Sequence, residues 1–297
     1  MSSPVRYEVV GPQARITLDR PEARNALDGP SLVALAEGLA EAAADRRVRL
    51  VVLGATGPVF CAGADLAGAS GAEGGSFASS GPAVLAGVLE AMISLAKPVI
   101  TRVQGHVVGG GIGLVAASDL SVAVEGATFA FGEVRVGVAP AVISVAVLRR
   151  MSPAAASELM VTGARVGARR VLDAGLLTRV VTDDELDATV DEWTTQISAG
   201  GPTAVAATKA LLDRVPGMTR PEAWEWTARL SGRMFTAAEA QEGMGAFLAR
   251  RPADWSRFAD VDLDVLPDVG PDVSSLLQPS RPSGCSTRAT TTRRPTR

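Results

Sequence analysis

Short β-branched runs alternate with helix-length apolar segments from Val5 to Val124, and this rhythm is the strongest constraint on what the chain can fold into. Val5 to Val10 and Ala14 to Leu18 read as two strands joined at Gly11-Pro12-Gln13 in the manner of a hairpin. Asp28 and Pro30 then supply helix start signals, and Leu32, Leu35, Ala36, Leu39 and Ala43 recur at helical spacing on one face. RLVVLG, Arg49 to Gly54, suits a buried strand. The alternation continues with a helix over Pro82 to Ala96, a strand over Pro98 to Gln104, a helix over Gly109 to Ser118 and a strand over Leu120 to Val124. Such alternation specifies an α/β protein built from repeated ββα units.

The chain changes character twice. From Thr182 to Arg250 strand signals vanish, and 183–199, 202–214 and 219–249 read as three helices. Residues 259–297 carry five aspartates, then five arginines, among Pro, Ser and Thr, and are expected to be disordered. Between Leu66 and Gly81 the chain is rich in Gly, Ser and Ala, which predicts a mobile loop near a site.

Several function classes are disfavoured. Of 297 residues, 29 are basic and 32 acidic, so a net charge of −3 provides no field for nucleic acid or an anionic membrane. No stretch of 18 apolar residues occurs, and the N-terminus lacks the pattern of a signal peptide, so a cytoplasmic protein is expected. Two distant cysteines, Cys61 and Cys285, exclude a disulfide framework, and a lone His106 excludes a multi-histidine metal site. No metal is expected, and chemistry must rest on carboxylates and backbone groups.

Three motifs rise above composition. CAGAD, Cys61 to Asp65, follows a strand and is small enough to let a ligand approach its backbone. GHVVGGGIGL, Gly105 to Leu114, runs from a strand through glycines into a helix whose first N–H groups lack partners. FAFGEVRVGVAP, Phe129 to Pro140, sets a single carboxylate, Glu133, among apolar neighbours. Gly111 to Ala116 also fits the dinucleotide pattern G-x-G-x-x-A, but that fingerprint belongs at a first strand-to-helix turn, and about a hundred residues precede it here.

Taken in order with LDRPEARNALD (18–28) and QEGMGAFLARRPADW (241–255), these motifs resemble the crotonase superfamily of enoyl-CoA hydratases and isomerases over residues 5 to 258. The wording EVRVGVAPAVIS looks most like the branch acting on 3-methylglutaconyl-CoA. The resemblance implies a spiral of ββα turns over 1–200 and a helical oligomerisation part over 201–258 that makes trimers or hexamers. It implies a coenzyme A thioester substrate and no separate cofactor. By motif position the backbone N–H groups of Ala64 and Gly110 would hold the thioester oxygen, and Glu133 would move the proton. Arg24, Ala62, Asp65 and Leu66 would hold the coenzyme. Arg135 is a candidate to keep Glu133 ionised, whereas burial would raise its pKa.

One position departs from the two-glutamate hydratases: Gly113 stands where they carry a second acid. A one-glutamate hydratase is the first reading, a 3-enoyl to 2-enoyl isomerase the alternative, and a catalytically silent thioester binder a third. Glutamate introduced at Gly113 is expected to raise straight-chain hydration if the helix tolerates it. His106, Cys61 and Asp119 read as structural residues. Trp224 and Trp226 cannot share one helical face, so at least one is expected to meet a partner subunit.

Overall fold

The computed structural model describes residues 3–65, 75–258, 261–262 and 265–266. Its first half is a spiral in which, after an opening hairpin, each turn lays one strand in a large sheet and the next strand in a small one. β1 (Val5–Val10) and β2 (Gln13–Leu18) form the expected hairpin, with Gly11 at φ +57°. α1 (Gly29–Ala44) starts where Asp28 accepts from the Ser31 N–H at 2.8 Å, with Pro30 in the first turn. The following pairs are β3 (Leu50–Ala55) with β4 (Val59–Cys61), β5 (Val99–Val103) with β6 (His106–Val108), and β7 (Leu120–Val124) with β8 (Thr128–Ala130). They are followed respectively by α2 (Gly75–Ser94), α3 (Gly110–Ala117) and α4 (Ala141–Val147). After α5 (Pro153–Thr162), β9 (Arg165–Gly167), α6 (Ala168–Asp173) and β10 (Arg179–Val181) complete the two sheets.

The large sheet has the order β1-β2-β3-β5-β7-β10, parallel throughout except at the β1–β2 hairpin. The small sheet runs β4-β6-β8-β9, with only β9 antiparallel. Strands buried on both faces read as continuous apolar runs, which is why LVVL in β3 has no polar alternation. One core joins the sheets to α1, α2, α3 and α7 (Leu186–Ser198).

The C-terminal part differs from expectation in two places. The single helix expected over 219–249 is two, α9 (Arg220–Thr236) and α10 (Ala238–Leu248), separated at Ala237, whose ψ is 147°. The break lets the buried carboxylate of Glu239 accept from the Thr203 and Ala204 N–H groups at 2.9 and 3.0 Å, capping α8 (Pro202–Arg214) from a distance. Beyond Phe258, Val265 and Leu266 are buried with Ala206, Ala207, Trp226 and Leu230, so at these two positions the tail joins a small core rather than lacking one. Upstream, the loop expected from Leu66 to Gly81 gives way to helix at Gly75; residues 66–74 lie outside the described residues. Packing of Val88, Leu89 and Met92 in the core carries a helix through a stretch of poor propensity.

Among the described residues no helix is long and apolar enough to cross a membrane.

Candidate active site

The parallel small sheet brings the ends of β4, β6 and β8 side by side, and the three sequence motifs meet there. After β4 the chain turns at Gly63, φ +88°, a conformation that favours glycine. The Leu27 N–H donates to the Gly63 carbonyl at 2.7 Å and the Asp65 N–H donates to the Leu27 carbonyl at 3.0 Å. Leu27 thereby brackets Ala64, whose own N–H points the other way and finds no acceptor among the described residues.

After β6 the chain turns at Gly109, φ +53°, whose N–H donates to the Ala130 carbonyl at 3.1 Å. Gly110 opens α3, so its N–H has no carbonyl within the helix and none among the other described residues. The turns touch: a side chain at Gly109 would begin 3.7 Å from the Gly63 Cα, and one at Gly63 would begin 3.2 Å from the Val108 oxygen. Glycine at both positions allows the two backbones to approach, and two donors unpaired among the described residues result on adjoining turns.

Glu133 lies in the 3₁₀ turn Gly132–Val136 that follows β8. Its Oε1 is 3.2 Å from where a Gly109 side chain would begin, and its Oε2 is buried without a hydrogen-bond partner. Burial pushes the Glu133 carboxyl above the usual carboxylate range, against a smaller opposing pull from its own backbone N–H. Arg135 does not counter this, because its Nε donates to the Gly163 carbonyl at 2.9 Å. Phe129 and Phe131 are buried beneath the turn, whereas Val134 and Val136 are exposed, so the apolar surround comes from one side only. A half-buried carboxyl with a raised pKa, beside two N–H donors that find no acceptor among the described residues, can exchange a proton with a bound molecule whose oxygen those donors polarise.

The proposed coenzyme residues divide. The Ala62 N–H donates to the Arg24 carbonyl at 3.0 Å, which joins the exposed Arg24 turn to the CAGAD turn. Asp65 lies 3.5 Å from Arg20, which also pairs with Asp28 at 2.6 Å. Leu66 lies outside the described residues. Sequence reasoning overlooked Asn25, which is 2% exposed at φ +52°. Its amide donates to the Thr56 and Val59 carbonyls at 2.9 and 2.8 Å, and its oxygen accepts from the Arg20 N–H at 2.8 Å. An asparagine in RNALD, tolerant of the left-handed region, was the available signal.

Gly113 is buried, and a side chain there would begin 2.6 Å from the Ile143 Cγ2 and 3.3 Å from the Leu89 Cδ1. Ile143 of α4 occupies the space, so the condition attached to a glutamate at 113 is not met. His106 is exposed and shares a 3.0 Å hydrogen bond with the Thr128 hydroxyl. Asp119 accepts from the Val99 N–H at 2.7 Å and pairs with buried Lys209 at 2.8 Å. A cavity of about 500 Å³ adjoins that pair at the far end of α3, but its lysine is fully engaged, bonding also to the Met92 carbonyl.

The family model described as enoyl-CoA hydratase/isomerase matches residues 12–257. The chain belongs to that family. Among its relatives, the carnitinyl-CoA dehydratase of Salmonella arizonae is 34% identical over 261 residues, 86% of this chain and 99% of its own length. Among solved structures, an enoyl-CoA hydratase of Mycobacterium smegmatis superposes with a TM-score of 0.81 at 34% identity, over 86% of this chain and 99% of that one. Human enoyl-CoA hydratase domain-containing protein 3 gives a TM-score of 0.81 at 26% identity, covering 85% and 100%. Membership identifies the protein as an enzyme of the hydratase/isomerase class and the spiral as the crotonase fold, and acyl-CoA binding fits the family.

Proposed function

We propose that the protein is a hydro-lyase of 2-enoyl-CoA thioesters in which Glu133 is the lone acid–base group and the Ala64 and Gly110 N–H groups hold the thioester oxygen. In the hydration direction the Glu133 carboxylate takes a proton from water as its oxygen bonds to Cβ. The electron pair of the double bond moves onto the thioester as an enolate. Two fixed donors stabilise that charge where it develops, at about 3 kcal/mol for one donor in other enzymes. Protonated Glu133 then delivers the proton to Cα. Dehydration is the same path reversed, a direction supported by the dehydratase name of the relatives.

The observation that carries the reading is the Glu133 carboxyl against Gly109, with one oxygen buried and unpartnered and its pKa raised. Arg24, Ala62, Asp65 and Leu66 would hold the coenzyme, which is part of the substrate, and no separate cofactor is assigned. A branched or carboxylated acyl chain, such as 3-methylglutaconyl, suits a site with one acid, since groups on the substrate can help place the water. Exposed Trp224, Phe235, Phe247 and Leu248 on α9 and α10 support trimers or hexamers in which these helices meet another copy.

A second reading is favoured by Ile143 filling the space at Gly113: one carboxylate with no partner acid suffices for 3-enoyl to 2-enoyl isomerisation. A panel of straight, branched and carboxylated 2-enoyl and 3-enoyl thioesters separates the two. Water addition to a branched 2-enoyl thioester, faster than to 2-butenoyl thioester, supports the hydro-lyase. Double-bond migration without water addition establishes the isomerase, and binding without turnover of any substrate leaves a silent binder.

A further inference from the structure

We propose that Cys61 is a positioning residue for the pair of oxyanion donors, its sulfur tying together the two turns that present them. The proposal rests on the reading of Ala64 and Gly110 as those donors. Cys61 ends β4 and is wholly buried. The Gly63 N–H donates to its Sγ at 3.4 Å, and Gly111 packs against the same sulfur, which lies 3.0 Å from where a Gly111 side chain would begin. Gly63 immediately precedes Ala64, and Gly111 immediately follows Gly110. One side chain therefore contacts the residue next to each donor, by a hydrogen bond at Gly63 and by packing at Gly111.

The fit is close on the helix side. A side chain at Gly111 would begin 2.7 Å from the Cys61 Cβ and 3.0 Å from its Sγ, so the first turn of α3 rests directly on the cysteine. Burial pushes the thiol up to about 12, which keeps it neutral at working pH and leaves the sulfur a weak acceptor for the Gly63 N–H. Without it, the buried Gly63 N–H would have no acceptor and Gly111 would lose the side chain it rests on, leaving the backbone bonds of Leu27 and Gly109 to hold the two turns. Oxyanion stabilisation depends on donors fixed in advance, so a small relaxation of either turn weakens the polarisation of the thioester.

The test compares wild type, Cys61→Ala and Cys61→Ser by steady-state turnover and by the absorption spectrum of bound cinnamoyl-CoA, whose conjugated thioester shifts to longer wavelength when its oxygen is polarised. Cys61→Ala is expected to lower kcat about 10-fold, equivalent to about 1.4 kcal/mol, with KM within about twofold. It should also lose at least half of the spectral shift. Cys61→Ser, which restores an acceptor, should recover kcat to within about threefold and most of the shift. A merely structural cysteine would lower the melting temperature without moving the spectrum of the bound chromophore. A full shift in folded Cys61→Ala, or a shift lost equally in alanine and serine, overturns the positioning role and leaves the oxyanion reading standing. Absence of any shift in wild type overturns the oxyanion reading and the positioning role with it. Amide hydrogen exchange on the wild type stands apart from the variants: Gly63 should be protected, and free exchange there contradicts the proposal.

Discussion

A chain ending at Phe258 should be less stable than one ending at Leu266. Val265 and Leu266 are 6% and 3% exposed and pack with Ala206 and Ala207 of α8 and Trp226 and Leu230 of α9. The Asp262 N–H adds a 3.0 Å bond to the Thr203 hydroxyl at the start of α8. Burying two such side chains contributes about 1.5–3 kcal/mol each. Partial compaction of the denatured chain and the entropy of ordering the segment offset much of that, leaving a net of about 1–3 kcal/mol. At about 2–4 °C per kcal/mol for a domain of this size, the 1–258 protein should melt roughly 3–10 °C below the 1–266 protein by calorimetry at equal concentration. Melting temperatures within about 1 °C of each other would refute the packing argument.

Glu133→Gln should raise the melting temperature near pH 7.5 and have little effect near pH 4, because a carboxyl whose folded pKa lies above its unfolded value loses stability as pH rises between the two. The same raised pKa predicts that the step needing the Glu133 carboxylate slows as pH falls through it, visible as an acid limb in kcat. Lys209→Met should cost about 3 kcal/mol or more in denaturant unfolding, since it strands Asp119 and the Met92 carbonyl beside a buried apolar group. Cys61 should resist iodoacetamide at pH 8 in the native protein and react after unfolding, followed by mass spectrometry at that residue. Gly113→Glu should destabilise or unfold the protein and leave straight-chain hydration unimproved, as Ile143 holds the space.

What the residues alone made legible follows local physics. β7 spans Leu120–Val124 as read, and the Asp28–Pro30 start of α1 holds, because both signals are decided within a few residues. The break at Ala237 was not legible, since alanine is a strong helix former and the cause is Glu239 reaching the start of α8. Nor was the direction of Arg135, whose Nε donates to the carbonyl of Gly163, 28 residues away in the sequence. Gly113 was visible as a missing acid, but only the packed structure reveals Ile143 in its place. The functional roles given to Ala64, Gly110 and Glu133 came from the ordered motifs, because two of them act through backbone N–H groups that no side-chain pattern marks.

The most direct test of the account is kcat for Glu133→Gln on the best 2-enoyl thioester of the panel, with thioester affinity measured alongside. Glutamine keeps the volume and cannot cycle a proton, so kcat should fall by about 100-fold or more while affinity and fold are preserved. A variant that turns over within a few-fold of the wild type would remove Glu133 from the mechanism.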